Sequence, residues 1–73
     1  MTKHQKTFAY NLKSLIQERG LKGISEFSKD IDIPRQTISD WIHKGRSPNL
    51  DALHQLTDFF DISLDELLGK TAI

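Results

Sequence analysis

Five polar side chains lie between residues 35 and 40, and their donors and acceptors suit hydrogen bonding to flat polar edges. They are Arg35, Gln36, Thr37, Ser39 and Asp40. Arg35 can pair with guanine through two hydrogen bonds, or reach a phosphate, and Gln36 can pair with adenine in the same way. Asp40 can accept from the amino group of cytosine, and Thr37 and Ser39 can reach a phosphate or a thymine methyl. These residue types predict contact with base-pair edges, provided that one element presents them together.

The apolar residues between these polar ones predict that the element is a helix. At about 100° per residue, Ile38, Trp41 and Ile42 cluster on one side, while the polar residues and His43 fan out over the other. A helix over about 34–43 would therefore bury one flank and expose a flank that can hydrogen-bond.

A second, shorter helix precedes this one. Its residues at positions i, i+3, i+4 and i+7 are Ile24, Phe27, Ser28 and Ile31, which predicts a helix over about 24–31. Asp32 tolerates a left-handed backbone, and Pro34 suits the first position of a helix, so a tight turn is expected between the two. Two helices joined in this way form a helix-turn-helix, whose second helix lies in the DNA major groove.

From about Leu12 to Leu68 the chain resembles the lambda-repressor-like, Cro-type (XRE) helix-turn-helix family of phage and bacterial regulators. The segment IPRQTISDWI matches the recognition helix of that family, RSP the loop that follows, and DISLDELL the last helix. The resemblance implies an all-α fold, a compact five-helix bundle with the helix-turn-helix inside it. It also implies a transcriptional regulator that binds double-stranded DNA, and it favours a repressor acting as a homodimer on a palindromic operator.

Contacts to the DNA backbone are expected at both ends of the helix-turn-helix. Gly23 and Ser25 lie at the start of the first of these two helices, where free N–H groups can hold a phosphate. His43, Lys44 and Arg46 follow the recognition helix in a turn, and are placed to meet phosphates beside the groove. Asp40, which phosphates would repel, has a second interpretation: it can pair with His43 or a neighbouring lysine.

The chain departs from the family pattern at a pair of positions. The family often has an Arg in its first helix and a Glu late in its third that bridge one another, and here the matching residues are Ile16 and Ile42. Replacing both partners of a buried ion pair by apolar groups is often neutral or stabilising. We therefore expect the two isoleucines to touch.

Composition places the chain among small intracellular domains without cofactors. Its 73 residues suffice for one domain, and the absence of cysteine fits a reducing cytoplasm. The three histidines lack the spacing of metal ligands. The sequence also offers no pair of base and nucleophile, so we do not expect an enzyme. No apolar run is long enough to cross a membrane, and no signal peptide is evident.

The charges are divided unevenly, although they sum to zero. Residues 1–48 carry nine Lys or Arg and five Asp or Glu, and residues 49–73 carry one and five, so the two parts have net charges of +4 and −4. The helix-turn-helix lies in the basic part, and the resulting dipole can orient the domain toward phosphates. The alternative is that the charges only solvate the surface.

Outside the helix-turn-helix, the sequence predicts scaffold and an assembly surface. Residues 1–6 lack a period and are expected to be an irregular arm before a helix from about Thr7 to Arg19. Two further helices begin after Asn49 and Ser63, with Leu50 in the buried stripe of the first. Phe59, Leu64 and Ile73 are candidates for a dimer surface, although Phe59 can equally complete the core. The competing function is a protein-interaction module of the same fold, such as an antitoxin that binds a toxin.

Overall fold

The computed structural model describes residues 2–69, and within this range the chain is entirely helical, without strands. Its elements are α1 (Lys3–Glu18), α2 (Ile24–Ile31), α3 (Arg35–His43), α4 (Leu50–Phe60) and α5 (Leu64–Leu68). The all-α, five-helix fold expected from the sequence is confirmed. Over the described residues, none of these helices has the length and hydropathy to cross a membrane.

The first helix starts at Lys3 instead of Thr7, because the side chains of Thr2 and Gln5 accept hydrogen bonds from each other's backbone N–H groups. The Gln5 N–H donates to Thr2 Oγ1 at 3.2 Å, and the Thr2 N–H donates to Gln5 Oε1 at 2.8 Å. This reciprocal capping box stabilises the first turn. Within residues 2–6, the expectation of an irregular arm is therefore wrong.

Each helix contributes one large, completely buried side chain to the core. These are Leu12, Phe27, Ile38, Leu56 and Leu67, in the order of the helices. Burying a side chain of this size stabilises the fold by about 1.5–3 kcal/mol. α1 packs against α3 and α5, and α2 packs against α3 and α4, so that α3 is held from two sides.

The turn between α2 and α3 fixes the direction in which α3 leaves the core. Asp32 is left-handed, with φ 63° and ψ 42°, and its N–H donates to the Ser28 carbonyl at 3.0 Å. The Ser28 hydroxyl donates to the Ile33 carbonyl at 2.6 Å, which closes the turn from inside. Pro34 precedes α3 as its N-cap residue, one position before the place expected for it. The tight turn at Asp32 is confirmed.

Three phenylalanines join α2 to α4 and decide the role of Phe59. The Phe27 ring stacks on Phe60 at a centroid distance of 5.5 Å and meets Phe59 edge-on, also at 5.5 Å. The Arg19 guanidinium lies over the Phe59 ring, 4.6 Å from the ring centre. Phe59 is thus half-buried at the edge of the core, which favours its structural interpretation over the dimer surface.

Leu50 is 70% exposed, so its predicted place in the buried stripe of α4 is wrong. It is the first residue of α4, directly after the N-cap Asn49, whose side-chain oxygen accepts from the Ala52 N–H at 2.8 Å. The helix begins beyond the edge of the core there, and Ala52 and Leu56 bury their side chains instead. Leu50 is left as an exposed apolar residue.

Candidate nucleic-acid interface

α3 has the two flanks that its sequence predicted. Ile38, Trp41 and Ile42 are buried, at 0%, 4% and 7% exposure, and Trp41 meets the Phe8 ring of α1 edge-on. Arg35 and Gln36 are exposed on the opposite flank. The apolar side therefore anchors the helix while its first turn faces solvent.

An open groove runs between the start of α2 and the outer flank of α3, and we call it the α2–α3 groove. It is lined by Lys22, Gly23, Ile24, Ser25, Glu26, Arg35, Gln36 and Ser39. Arg35 Nη1 donates to Ser25 Oγ at 3.3 Å and so joins the two walls. The groove brings together three of the predicted base-reading residues and the two predicted backbone-binding residues at the start of α2.

Asp40 is engaged by three neighbours in the free chain. Its Oδ1 accepts from Gln36 Nε2 at 2.9 Å and lies 3.8 Å from Lys44 Nζ, while its Oδ2 lies 3.9 Å from Arg46 Nε. The pairing with a neighbouring lysine expected for Asp40 is present, whereas His43 is not among these partners. Asp40 therefore accepts a hydrogen bond from the amide of Gln36 and lies near the cations of Lys44 and Arg46, which follow α3.

Thr37 and Asp40 line a different groove from Arg35, Gln36 and Ser39. This second groove, which we call the α3–α4 groove, lies toward α4 and also contains Trp41 and Arg46. Thr37, Ser39 and Asp40 are half-buried, in contrast to the exposed Arg35 and Gln36. The five predicted base-reading residues thus divide into a prominent pair in the first turn and three shorter or recessed side chains.

The loop after α3 folds back on the last turn of that helix. The Lys44 and Arg46 N–H groups both donate to the Asp40 carbonyl, at 3.0 and 3.2 Å, and Gly45 between them has φ 70°. The Lys44 and Arg46 side chains are 68% and 74% exposed, so their long ion pairs with Asp40 are weak. Neither cation is therefore fixed firmly to the carboxylate.

His43 lies apart from these two grooves, in an apolar pocket between α1 and α3. Ile16 and Ile42 both line this pocket, and both are buried, which is consistent with the contact expected between them. Lys13 and Lys22 lie on the same pocket, and Lys22 also lines the α2–α3 groove. Sequence reasoning missed both lysines, although Lys22 directly precedes Gly23.

The candidate dimer residues have different surroundings. Leu64 is 43% exposed and shares a shallow apolar surface, which we call the α4–α5 patch, with Leu50, Leu53, His54 and Thr57. Phe59 packs on the core instead. Ile73 lies outside the described residues.

Comparison with protein-family models matches residues 12–67 to the model described as helix-turn-helix. Comparison with curated proteins and with solved structures gives no match. The matched segment contains α2, the turn at Asp32 and α3, together with the C-terminal part of α1 and nearly all of α4 and α5. The chain therefore belongs to the lambda-repressor-like, XRE-type helix-turn-helix family of DNA-binding transcriptional regulators.

Proposed function

We propose that this protein is a sequence-specific regulator that lays α3 in the major groove of an operator. The observation that carries the proposal is the first turn of α3, where Arg35 and Gln36 are exposed above a flank that Ile38 and Trp41 anchor in the core. An α-helix fits the major groove, where each base pair has a distinct pattern of donors and acceptors.

Each polar residue of this surface then has a role. Arg35 and Gln36 read base edges, with guanine and adenine as their best partners, and Ser39 and Thr37 make shorter contacts. Asp40 holds Gln36 in position and rejects bases that would bring an acceptor toward its carboxylate. Gly23, Ser25, His43, Lys44 and Arg46 contact the phosphates and set the register of the helix in the groove.

A homodimer on a palindromic operator supplies the specificity that one short helix lacks. Two recognition helices about 34 Å apart can enter successive major grooves on one side of the duplex. The α4–α5 patch supports this assembly, because Leu50 and Leu64 are 70% and 43% exposed on neighbouring helices. Occupancy of an operator that overlaps a promoter would block the polymerase, so we propose repression of the phage or bacterial type.

The same patch supports a second candidate function, a protein-interaction module such as an antitoxin. Apolar side chains exposed together often mark a protein contact. In that case a different protein covers Leu50 and Leu64, and DNA binding through α3 is secondary or absent. The two functions differ in whether the exposed polar residues of α3 or the apolar residues of α4 and α5 are required for activity.

Selection of bound duplexes from a random pool, combined with sedimentation of the protein with the selected duplex, tests the proposal. We expect an enriched palindrome and two chains per duplex, and Leu64→Asp should reduce the stoichiometry to one. An aspartate at the first position of α5 favours the helix, so this change leaves the fold intact. Tyr10→Ser, at a 72% exposed residue of α1, is the control and should leave two chains bound. A pool without any enriched sequence would reject the proposal and favour the interaction module.

A further inference from the structure

The pocket that contains Ile16 and Ile42 has an apolar floor and a polar rim, on which the charged residues are all lysines. Its floor is formed by Ile16, Leu21, Ile24 and Ile42, and its rim by Lys13, Gln17, Lys22 and His43. Gly23 completes the lining, and no carboxylate belongs to it.

The two lysines on this rim are not neutralised within the described residues. Both ion pairs found there belong to Asp40, which lies in the α3–α4 groove. Lys13 and Lys22 reach the pocket from α1 and from the connection to α2. Two lysines from different elements therefore line one apolar depression, and neither belongs to an ion pair within the described residues.

We propose that this pocket binds a small apolar carboxylate, with the hydrocarbon group on the isoleucines and the carboxylate between Lys13 and Lys22. The pocket has a volume of about 160 Å³. An apolar cavity of about 150 Å³ accommodates one benzene molecule, so a single ring or a chain of similar size fits. A purely apolar ligand would leave the lysines unused, and an inorganic anion would leave the isoleucine floor in contact with water.

The position of the pocket couples this ligand to DNA, and this step rests on the proposed function. Lys22, Gly23 and Ile24 line both the pocket and the α2–α3 groove. His43 also lines the pocket and is a proposed phosphate contact. A bound carboxylate neutralises positive charge that the phosphates need, so the ligand and DNA compete.

Benzoate tests the binding site without DNA. Titration of the isotope-labelled protein should shift the amide and methyl resonances of Ile16, Leu21, Ile24 and Ile42 in a saturable way. Benzyl alcohol, which has the ring without the charge, and inorganic phosphate, which has charge without the ring, should each bind at least about fivefold more weakly. Equal affinity of benzyl alcohol, or shifts spread over the whole surface, would overturn the proposal.

Matched variants distinguish binding of benzoate in the pocket from its attraction to the general charge of the surface. Lys13→Ala with Lys22→Ala should weaken benzoate binding by about three- to tenfold, because two exposed charge contacts are lost. Lys6→Ala with Lys29→Ala removes two lysines outside the pocket and should leave benzoate binding unchanged. Ile24→Trp fills the pocket and should abolish the shifts at Ile16 and Ile42. Equal effects of the two lysine pairs would show that the anion binds by general attraction and would overturn the site.

A competition experiment tests the coupling separately. Benzoate should weaken binding to the selected duplex more than sodium chloride does at the same ionic strength. If benzoate binds the pocket while the two salts act equally on DNA binding, the coupling is wrong. If the protein binds no duplex, the proposed function fails, and the shifts seen with benzoate alone still decide whether the pocket is a ligand site.

Discussion

Asp40 is the residue on which the polar groups of the α3 surface converge. Its carboxylate holds Gln36, Lys44 and Arg46 in the free chain, and each of these groups has a proposed partner on DNA. The pairing with Lys44 could be predicted from the sequence, because residues four apart on a helix are neighbours. The contact of Arg46 could not, because it depends on how the loop folds back on α3.

We predict that Asp40→Asn strengthens binding to any duplex and lowers discrimination between duplexes. The amide removes a charge that repels phosphates and releases Lys44 and Arg46, so affinity for a random duplex should rise by about three- to tenfold. Fluorescence anisotropy with the selected and a scrambled duplex measures both effects. Asp58→Asn in α4 removes a charge at an exposed residue outside the proposed interface and is the control. Weaker binding of Asp40→Asn to the scrambled duplex would contradict the assigned role.

The helices show why element boundaries were harder to predict than element types. The period of the apolar residues identified α2 and α3 correctly, because their buried flanks pack on the same core. The start of α1 was missed because Thr2 and Gln5, which form its cap, are polar and add nothing to that period. Leu50 was misplaced for the opposite reason: it continues the period of α4 beyond the edge of the core.

The contact of α1 with α3 can be tested by exchanging the isoleucine pair for an ion pair. Ile16→Arg alone should lower the free energy of unfolding by about 3 kcal/mol or more, because it places an unpaired charge among buried apolar groups. Adding Ile42→Glu should recover part of that loss, with a coupling of at least about 1 kcal/mol. Urea unfolding followed by circular dichroism gives the free energy of unfolding of the wild type, of each single variant and of the double variant, which together form a double-mutant cycle. Combining Ile16→Arg with His54→Glu, on exposed α4 surface, should give additive effects. Additive effects in the isoleucine pair as well would mean that the two side chains do not touch.

Across the whole molecule, the charge division predicted from the sequence follows the order of the helices, although Asp51 of α4 lines the same groove as Arg46. The basic residues proposed to contact phosphates lie around α3 and the start of α2, while Asp51, Asp58, Asp61, Asp65 and Glu66 lie on α4, α5 and their connection. The α4–α5 patch could not be predicted in the same way. Exposure of Leu50 depends on where the core ends, which the sequence period does not show.

The salt dependence of DNA binding tests this charge distribution. The logarithm of affinity should fall linearly with the logarithm of salt concentration, because each phosphate contact releases counter-ions. Lys44→Ala and Arg46→Ala should each reduce the slope by about 1 and weaken binding to all sequences alike. A loss restricted to the selected duplex, with an unchanged slope, would contradict their assignment to the DNA backbone.

The affinity ratio of selected to scrambled duplex, measured for the wild type, Arg35→Ala and Gln36→Ala, tests most directly whether the outer flank of α3 reads bases. We expect each variant to lower that ratio by about tenfold or more, since a bidentate pair discriminates by about 1–3 kcal/mol. Tyr10→Ala, at a 72% exposed residue of α1 that lies outside both grooves, should leave the ratio unchanged. A ratio that stays at the wild-type value in both α3 variants would contradict the account, because neither side chain would then contribute to sequence recognition.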